Sequence, residues 1–164
     1  MARARPVPGF AESASFREAA IRTVEVRTEE VFEHRDNVLD ISDIEHVHDM
    51  RVATRRLRAA MEIFEPCFPK KQFRGLLREV KVLADTLGAR RDADVAIAAM
   101  DRVAAELPVA DRAGANHLLA ELRAEQQQAN EALAGLLGQI DSDRLHERLL
   151  ALAAETGAAA GVPA

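Results

Sequence analysis

Hydrophobic residues recur along the chain at intervals of three and four, with polar residues between them. The clearest run starts near Lys70, where apolar residues follow the i, i+3, i+4, i+7 spacing of one helix face. Its members are Phe73, Leu76, Leu77, Val80, Leu83, Ala84 and Leu87. No segment alternates with a period of two over a useful length, so strands are not predicted. The pattern predicts an all-α protein whose amphipathic helices pack with their apolar sides together.

Capping residues and prolines set the expected ends of the helices. Two stretches, Ser15–Glu18 and Ser42–Glu45, have the capping-box pattern, in which side chains at the first and fourth positions satisfy first-turn N–H groups. Pro66 and Pro69 end the second helix, and Pro108 ends the third. We expect helices over 15–38, 42–64, 70–107 and 110–138, and a short last helix that Asp141 or Ser142 caps and that ends near Glu155.

The third and fourth helices carry two further expectations. Because glycine weakens a helix interior, Gly88 predicts either one long helix with close packing at that point or a short break. The fourth helix should bury one side, formed by Leu118, Leu122, Ala129, Leu133 and Leu136.

Short loops between long amphipathic helices favour an antiparallel four-helix bundle, with a short extra C-terminal helix. The expected domain covers residues 15–156, between a flexible arm at 1–14 and a flexible tail at 157–164.

Composition excludes several classes of function. The chain has one cysteine, so it has no intramolecular disulfide and no CxxC metal site, which fits the cytoplasm. Trp and Tyr are absent, which argues against a stacking platform for single-stranded nucleic acid. No GxGxxG or GxxxxGK[ST] motif is present, and no apolar run approaches the ~20 residues of a membrane span. We assign Cys67, which lies between two prolines, no role.

The net charge of −5 is a sum of two unlike parts. Residues 48–91 hold 11 basic and five acidic side chains, a charge of +6, so the rest of the chain carries −11. A basic region inside an acidic protein indicates a local anion site and argues against general binding of nucleic acid.

The second helix concentrates this charge on one side. At about 100° per residue from His48, Arg55 lies near 340°, Arg51 near 300° and Arg58 near 280°, whereas Arg56 lies near 80°. Like charges spaced this way destabilise a helix unless an anion offsets them. Guanidinium groups also suit phosphate, because their planar fork donates two parallel hydrogen bonds.

The third helix repeats the arrangement with Arg74, Arg78 and Lys81, and Arg90 and Arg91 follow. If the two helices are antiparallel neighbours, both basic stripes line one cleft, which would attract a polyphosphate-like ligand. The alternative is a solvated helix face laced with ion pairs.

Other chemistry remains open at this stage. The run His46–Asp49 suggests metal ligation or a phosphohydrolase, but two histidines at i, i+2 do not share one helix face. We therefore predict no metal site. Asp92 and Asp94 are interpreted as local ion-pair partners that orient Arg91.

Two motifs resemble the CHAD domain, the conserved-histidine α-helical domain. VHDMRVATRRLRAAMEIF at 47–64 contains its H-x-x-R-V-x-x-R-R-L-R pattern. LREVKVLADTLGARRDADVAI at 77–97 contains its L-G-x-x-R-D-x-D-V pattern, and SDRLHERLLALAAE resembles the helix that closes the first half of that domain. The resemblance covers residues 15–156.

The resemblance implies a helical protein that binds inorganic polyphosphate, often in polyphosphate or storage granules. It assigns the binding residues His48, Arg51, Arg55, Arg56, Arg58, Arg78, Lys81 and Arg91. The chain lacks the acidic ExExK strand of the CYTH domain that often accompanies CHAD, so no hydrolysis, catalytic residue or cofactor is implied. CHAD domains consist of two four-helix bundles related by a pseudo-twofold axis, and this sequence resembles the first half only. We therefore expect a homodimer.

The leading hypothesis is non-enzymatic polyphosphate binding in the cytoplasm, without membrane contact. A scaffolding role with granule proteins is the alternative, and a metal-dependent phosphohydrolase using His48 is a third class.

Overall fold

The computed structural model describes residues 4–8 and 14–160, and these ranges contain five α-helices and no strand. The α-helices are α1 (Phe16–Glu33), α2 (Glu45–Phe64), α3 (Lys70–Glu106), α4 (Arg112–Ser142) and α5 (Leu145–Ala160). Single turns of 3-10 helix, Glu65–Cys67 and Val109–Asp111, follow α2 and α3. The predicted all-α fold is confirmed. Within the described ranges, no helix is long and apolar enough to cross a membrane.

The helices form one bundle with antiparallel neighbours along the chain. Helix α1 packs against α2 and α5, α2 packs against α3, and α3 packs against α4. Helix α5 also contacts α3 and α4, so it belongs to the bundle and is not an appendage. The core takes side chains from all five helices, including Val24, Leu57, Met61, Phe73, Leu87, Leu133, Leu137, Leu149 and Leu152.

Helix α1 begins as predicted and ends five residues early. The Ser15 hydroxyl accepts a hydrogen bond from the Glu18 N–H at 3.2 Å, and the Glu18 carboxylate accepts one from the Ser15 N–H at 2.7 Å. The hydrogen bond from the Ser15 N–H stabilises the Glu18 carboxylate and lowers the pKa of Glu18. The helix ends at Glu33, where the sequence enters Asp36 and Asn37, residues that favour turns. The turns that follow bury Val38 in the core.

The second predicted capping box is wrong. Helix α2 begins at Glu45 after Ile44, whose side chain makes no capping hydrogen bond, and the Asp43 carboxylate accepts a hydrogen bond from the Glu45 N–H at 3.0 Å. The Ser42 N–H and hydroxyl instead donate to the Asp40 carboxylate at 2.8 and 2.7 Å, which lowers the pKa of Asp40. Aspartate competes for nearby backbone donors in this way, and the competition diverts Ser42 into a turn before the helix.

Helix α3 is continuous for 37 residues and passes through Gly88. The long-helix alternative is therefore correct, but the expected close packing is absent. A Cβ atom built at Gly88 meets nothing within 4 Å, because this position faces the cleft between α2 and α3.

The end of the chain departs from prediction in two ways. Helix α4 continues to Ser142, so Asp141 and Ser142 end α4 instead of capping α5. The Asp141 carboxylate accepts a hydrogen bond from Arg35 at 2.6 Å, and Arg144, with φ of 55°, makes the turn into α5. Helix α5 extends to Ala160, beyond the predicted domain end at 156.

The buried side of α4 is rotated from the predicted one. Leu133 is buried as expected, but Leu118 is 43% exposed and its neighbour Leu119 is buried. Leu137 is buried in the core, and Leu136 packs at its margin. Adjacent leucine pairs let either member face the core, and packing against α3 selects the second member of each pair.

The described part of the predicted arm lies along α1. The Arg5 guanidinium pairs with Glu33, and the Arg5 N–H donates to Glu30. Arg27 in turn donates to the Arg5 carbonyl at 3.0 Å. Residues 1–3, 9–13 and 161–164 of the predicted arm and tail lie outside the described residues.

Candidate functional site

A basic groove runs between α2 and α3. Contacts across it pair Arg58 with Asp85 and Glu62 with Lys81, so residue numbers rise on one helix as they fall on the other. This register makes the two helices antiparallel and brings the two predicted basic stripes to one cleft. We define the groove by the residues that line or bridge it, which are Arg51, Arg55, Arg58, Glu62, Glu65, Arg74, Leu77, Arg78, Lys81, Ala84, Asp85, Gly88, Ala89 and Asp92.

The α2 wall follows from the amphipathic pattern of that helix. Its core side is formed by residues such as Met50, Leu57 and Met61, all fully buried. Arg51, Arg55 and Arg58 are set at about 60–120° from Met61 around the helix axis, so they emerge along the edge of the core side. At this edge, guanidinium groups stay solvated beside the neighbouring helix.

The groove has two parts of different shape. The upper part encloses about 460 Å³ and places Arg51, Arg55 and Arg58 opposite small residues of α3, Ala84, Gly88 and Ala89. The lower part encloses about 310 Å³ beside Arg74, Arg78 and Lys81. Asp85 and Asp92 also line this wall, so an anion can approach the α3 backbone closely only at the small residues that lie between these two carboxylates.

Three of the groove cations have no partner within the part of the chain that the structure describes. Among the described residues, nothing forms a hydrogen bond or ion pair with Arg51, Arg55 or Arg78. Their donors are therefore available to a ligand. The other groove cations are engaged with carboxylates of the same groove.

Carboxylates neutralise the centre and the lower end of the groove. Glu62 Oε1 accepts from Lys81 Nζ at 2.9 Å and from Arg58 Nε at 3.2 Å, and these hydrogen bonds lower the pKa of Glu62. Arg58 Nη1 lies 4.0 Å from Asp85, and Arg74 Nε donates to Glu65 at 3.2 Å. Six basic and four acidic residues thus give the groove a net charge of about +2, less than the sequence segment suggests.

Three of the predicted binding residues lie outside the groove. Arg56 is on the opposite flank of α2, at least about 100° from the arginine stripe. His48 clusters with Glu45 and Asp49, with one potential ligand atom from each within 4.8 Å of the others. Arg91 is 16% exposed and donates to the Ile44 carbonyl at 3.1 Å, so it links α3 to the start of α2.

The expected pairing of Asp94 with Arg91 is wrong. Asp94 instead pairs with Arg90, four residues earlier on the same helix, and both side chains are fully buried. Arg90 Nε also donates to Asn130 at 3.1 Å, and Gln126 donates to Asp94 at 2.7 Å. Asn130 donates onward to the Leu39 carbonyl at 3.1 Å. This buried network joins α3, α4 and the turn before α2, and it holds the α3 wall in place.

The sequence analysis grouped Arg90 with the basic residues of the third helix. The signal that could have identified its role is the i, i+4 spacing of Arg90 and Asp94 on a helix. Sequence reasoning also left Glu45 out of the His48 cluster. Glu45 lies one turn before Asp49 and three residues before His48, which is the spacing at which side chains meet on a helix.

Taken together, the groove can bind an extended anion by charge-assisted hydrogen bonds from a row of guanidinium groups. Comparison with known proteins agrees with the sequence motifs at the family level. A model of the CHAD domain family matches residues 22–164, which is most of the chain. Searches of curated proteins and of solved structures found no match. On the strength of the family match and the two motifs along α2 and α3, the chain belongs to the CHAD domain family.

Proposed function

We propose that the protein binds inorganic polyphosphate without catalysis, in the groove between α2 and α3. The observation that carries the proposal is the row formed by Arg51, Arg55 and Arg78, whose guanidinium groups have no partner among the described residues. Unpaired like charges along one cleft are unfavourable without an anion. Membership of the CHAD family, which is associated with polyphosphate, supports this choice of anion.

The proposed mechanism is multidentate clamping along the groove axis. Each arginine donates parallel hydrogen bonds to phosphate oxygens, and successive phosphates meet successive arginines. The small residues of α3 leave room for the chain beside the helix backbone. Such binding weakens steeply as salt rises, as it does for nucleic acids, because bound cations are released from the polyanion.

A second copy of the chain completes the proposed site. Among the described residues, the groove is walled by α2, α3 and Glu65 of the turn between them, so an anion bound there remains open to solvent on its outer side. A twofold arrangement of two copies would bring two such grooves together on one polyphosphate.

Replacing Arg51 and Arg55 together by alanine tests the site. We expect the double variant to lose at least about tenfold in affinity for long-chain polyphosphate, since each charged hydrogen-bonding group contributes about 1 kcal/mol or more. Isothermal titration at two salt concentrations measures this loss.

Arg102→Ala with Arg123→Ala is the matched control. These residues are exposed and lie outside the groove, so the control removes the same charge and should retain most of the affinity. Equal affinities of the two double variants would refute the assignment of the groove.

Two alternatives have distinct outcomes. A granule scaffold predicts localisation to granules that survives loss of Arg51 and Arg55. A hydrolase is favoured by one observation, the cluster of Glu45, His48 and Asp49. It predicts phosphate release from polyphosphate with a divalent metal and its loss in His48→Ala, whereas the binding proposal predicts no release from either protein. A competition with DNA at matched charge separates polyphosphate binding from general polyanion binding.

A further inference from the structure

The centre of the basic groove is already occupied by a side chain of the protein. Arg58 on α2 and Lys81 on α3 approach the same carboxylate oxygen, Glu62 Oε1, at 3.2 and 2.9 Å. Cations from two different helices therefore converge on one point. An oxygen at that point receives charge-assisted hydrogen bonds from both walls.

We propose that Glu62 is an internal competitor for polyphosphate, holding a phosphate subsite formed by Arg58 and Lys81 until the ligand displaces it. The inference rests on the proposed function and concerns the regulation of the same groove. The carboxylate oxygen stands where a phosphate oxygen is held in the bound state.

Exchange of Glu62 for the ligand should change the free energy of unfolding only slightly. The side chains of Arg58, Glu62 and Lys81 are each about two-fifths exposed, at 39%, 43% and 39%. Ion pairs with this exposure contribute only about 0.2–1 kcal/mol each. Glu62 can therefore rotate out to solvent while the helices keep their positions, and its two cations then bind the ligand.

The position of Glu62 along the groove gives the competitor a specific effect. Arg51 and Arg55 lie on one side of it, and Arg78 lies on the other side. A long chain that contacts all three arginines crosses the point held by Glu62 and must displace it. A short anion can bind beside Arg51 and Arg55 and leave the bridge intact.

Glu62→Gln tests the proposal, because glutamine keeps the size of the side chain and removes its charge. We expect Glu62→Gln to bind long-chain polyphosphate about 3- to 10-fold more tightly than the natural protein. The gain for tripolyphosphate should be smaller. Glu106→Gln, near the far end of α3, makes the same change in net charge and should alter neither affinity appreciably.

A double-mutant cycle separates local competition from a general charge effect. Lys81→Gln should reduce affinity more in the Glu62→Gln background than in the natural protein, because Lys81 is freed for the ligand only when its internal partner is absent. Circular dichroism and melting temperature check that each variant is folded.

The possible results distinguish this inference from the proposed function. If the natural protein binds polyphosphate and Glu62→Gln binds it no better than Glu106→Gln, Glu62 is no competitor and the binding function stands. If neither the natural protein nor Glu62→Gln binds polyphosphate, the proposed function fails as well.

Discussion

Arg90 is a fully buried guanidinium in the middle of α3, and its partners determine what it contributes. Asp94 neutralises it, Asn130 accepts a hydrogen bond from Arg90, and Gln126 donates one to Asp94. Among the described residues, Arg90 Nη2 and Asp94 Oδ2 are buried without a hydrogen-bond partner. Burying such a pair gives little net stability, but removing one member leaves the other charged and unpaired in the core. Arg90 is therefore a structural residue beside the site rather than a ligand-binding one.

Arg90→Ala should lower the free energy of unfolding by about 3–5 kcal/mol, because Asp94 would remain buried without its counter-charge. Urea denaturation followed by circular dichroism measures the loss. Arg102→Ala, an exposed arginine on the same helix, should change stability by about 0.5 kcal/mol or less. A result for Arg90→Ala as small as that of the control would contradict the role of the network.

Residue identity predicted some roles and missed others for a physical reason. The stripe of Arg51, Arg55 and Arg58 depends only on helical spacing, which the sequence contains in full. The roles of Arg90 and Glu62 depend on which residues of neighbouring helices face them. That register is a property of packing, and no single helix determines it.

Gly88 affects the stability of the helix that contains it, α3. Glycine costs about 1 kcal/mol in a helix interior relative to alanine, yet α3 runs through Gly88 without a break. Packing of the apolar side of α3 on α2 and α4 offsets this cost. No atom lies within 4 Å of the position that a Cβ of residue 88 would take, so packing in the core does not require glycine there. Its small size instead leaves space in the groove.

Gly88→Ala should therefore stabilise the protein by about 0.8–1 kcal/mol, which raises the melting temperature by about 2–4 °C in a chain of this size. Gly135→Ala, in the interior of α4 and away from the groove, is the matched control with a similar expected gain. Thermal unfolding by calorimetry compares them. Loss of stability in Gly88→Ala alone would mean that α3 and α2 lie closer together at this point than described.

The existence and order of the helices could be predicted from periodicity, and the end of α2 from Pro66. The helix boundaries near Asp40 and Asp141 could not be predicted in this way. The Asp40 carboxylate accepts a hydrogen bond from Ser42, and the Asp141 carboxylate accepts one from Arg35. Residues that resemble helix caps in the sequence therefore have other partners in the structure. Capping patterns near several polar residues thus leave the exact boundary open.

Across the whole molecule, the surface charge is divided between one basic groove and an acidic remainder. If the protein binds polyanions as proposed, we expect this division to restrict binding to the groove, whose own carboxylates reduce its charge further. Such a surface favours ligands with dense negative charge that can compete with internal carboxylates.

At this scale the proposed twofold assembly is tested directly. Light scattering after size-exclusion chromatography should give twice the mass of the 17.9 kDa chain, and the ligand should stabilise that species. The physical reason is that the groove, walled by α2, α3 and the turn that joins them, is open to solvent on its outer side. A strict monomer that binds polyphosphate with unchanged affinity would contradict the need for a second copy.

The two walls of the groove belong to one contiguous helical hairpin, so the residues that face each other are near in sequence. Glu62 meets Lys81 and Arg58 meets Asp85 across a link of only a few residues, the segment from Glu65 to Pro69. Contacts that close short loops form rapidly during folding. The hairpin is also complete in the growing chain before α4 and α5 are synthesised. The basic surface is therefore among the earliest parts of this molecule that a polyanion in solution can meet.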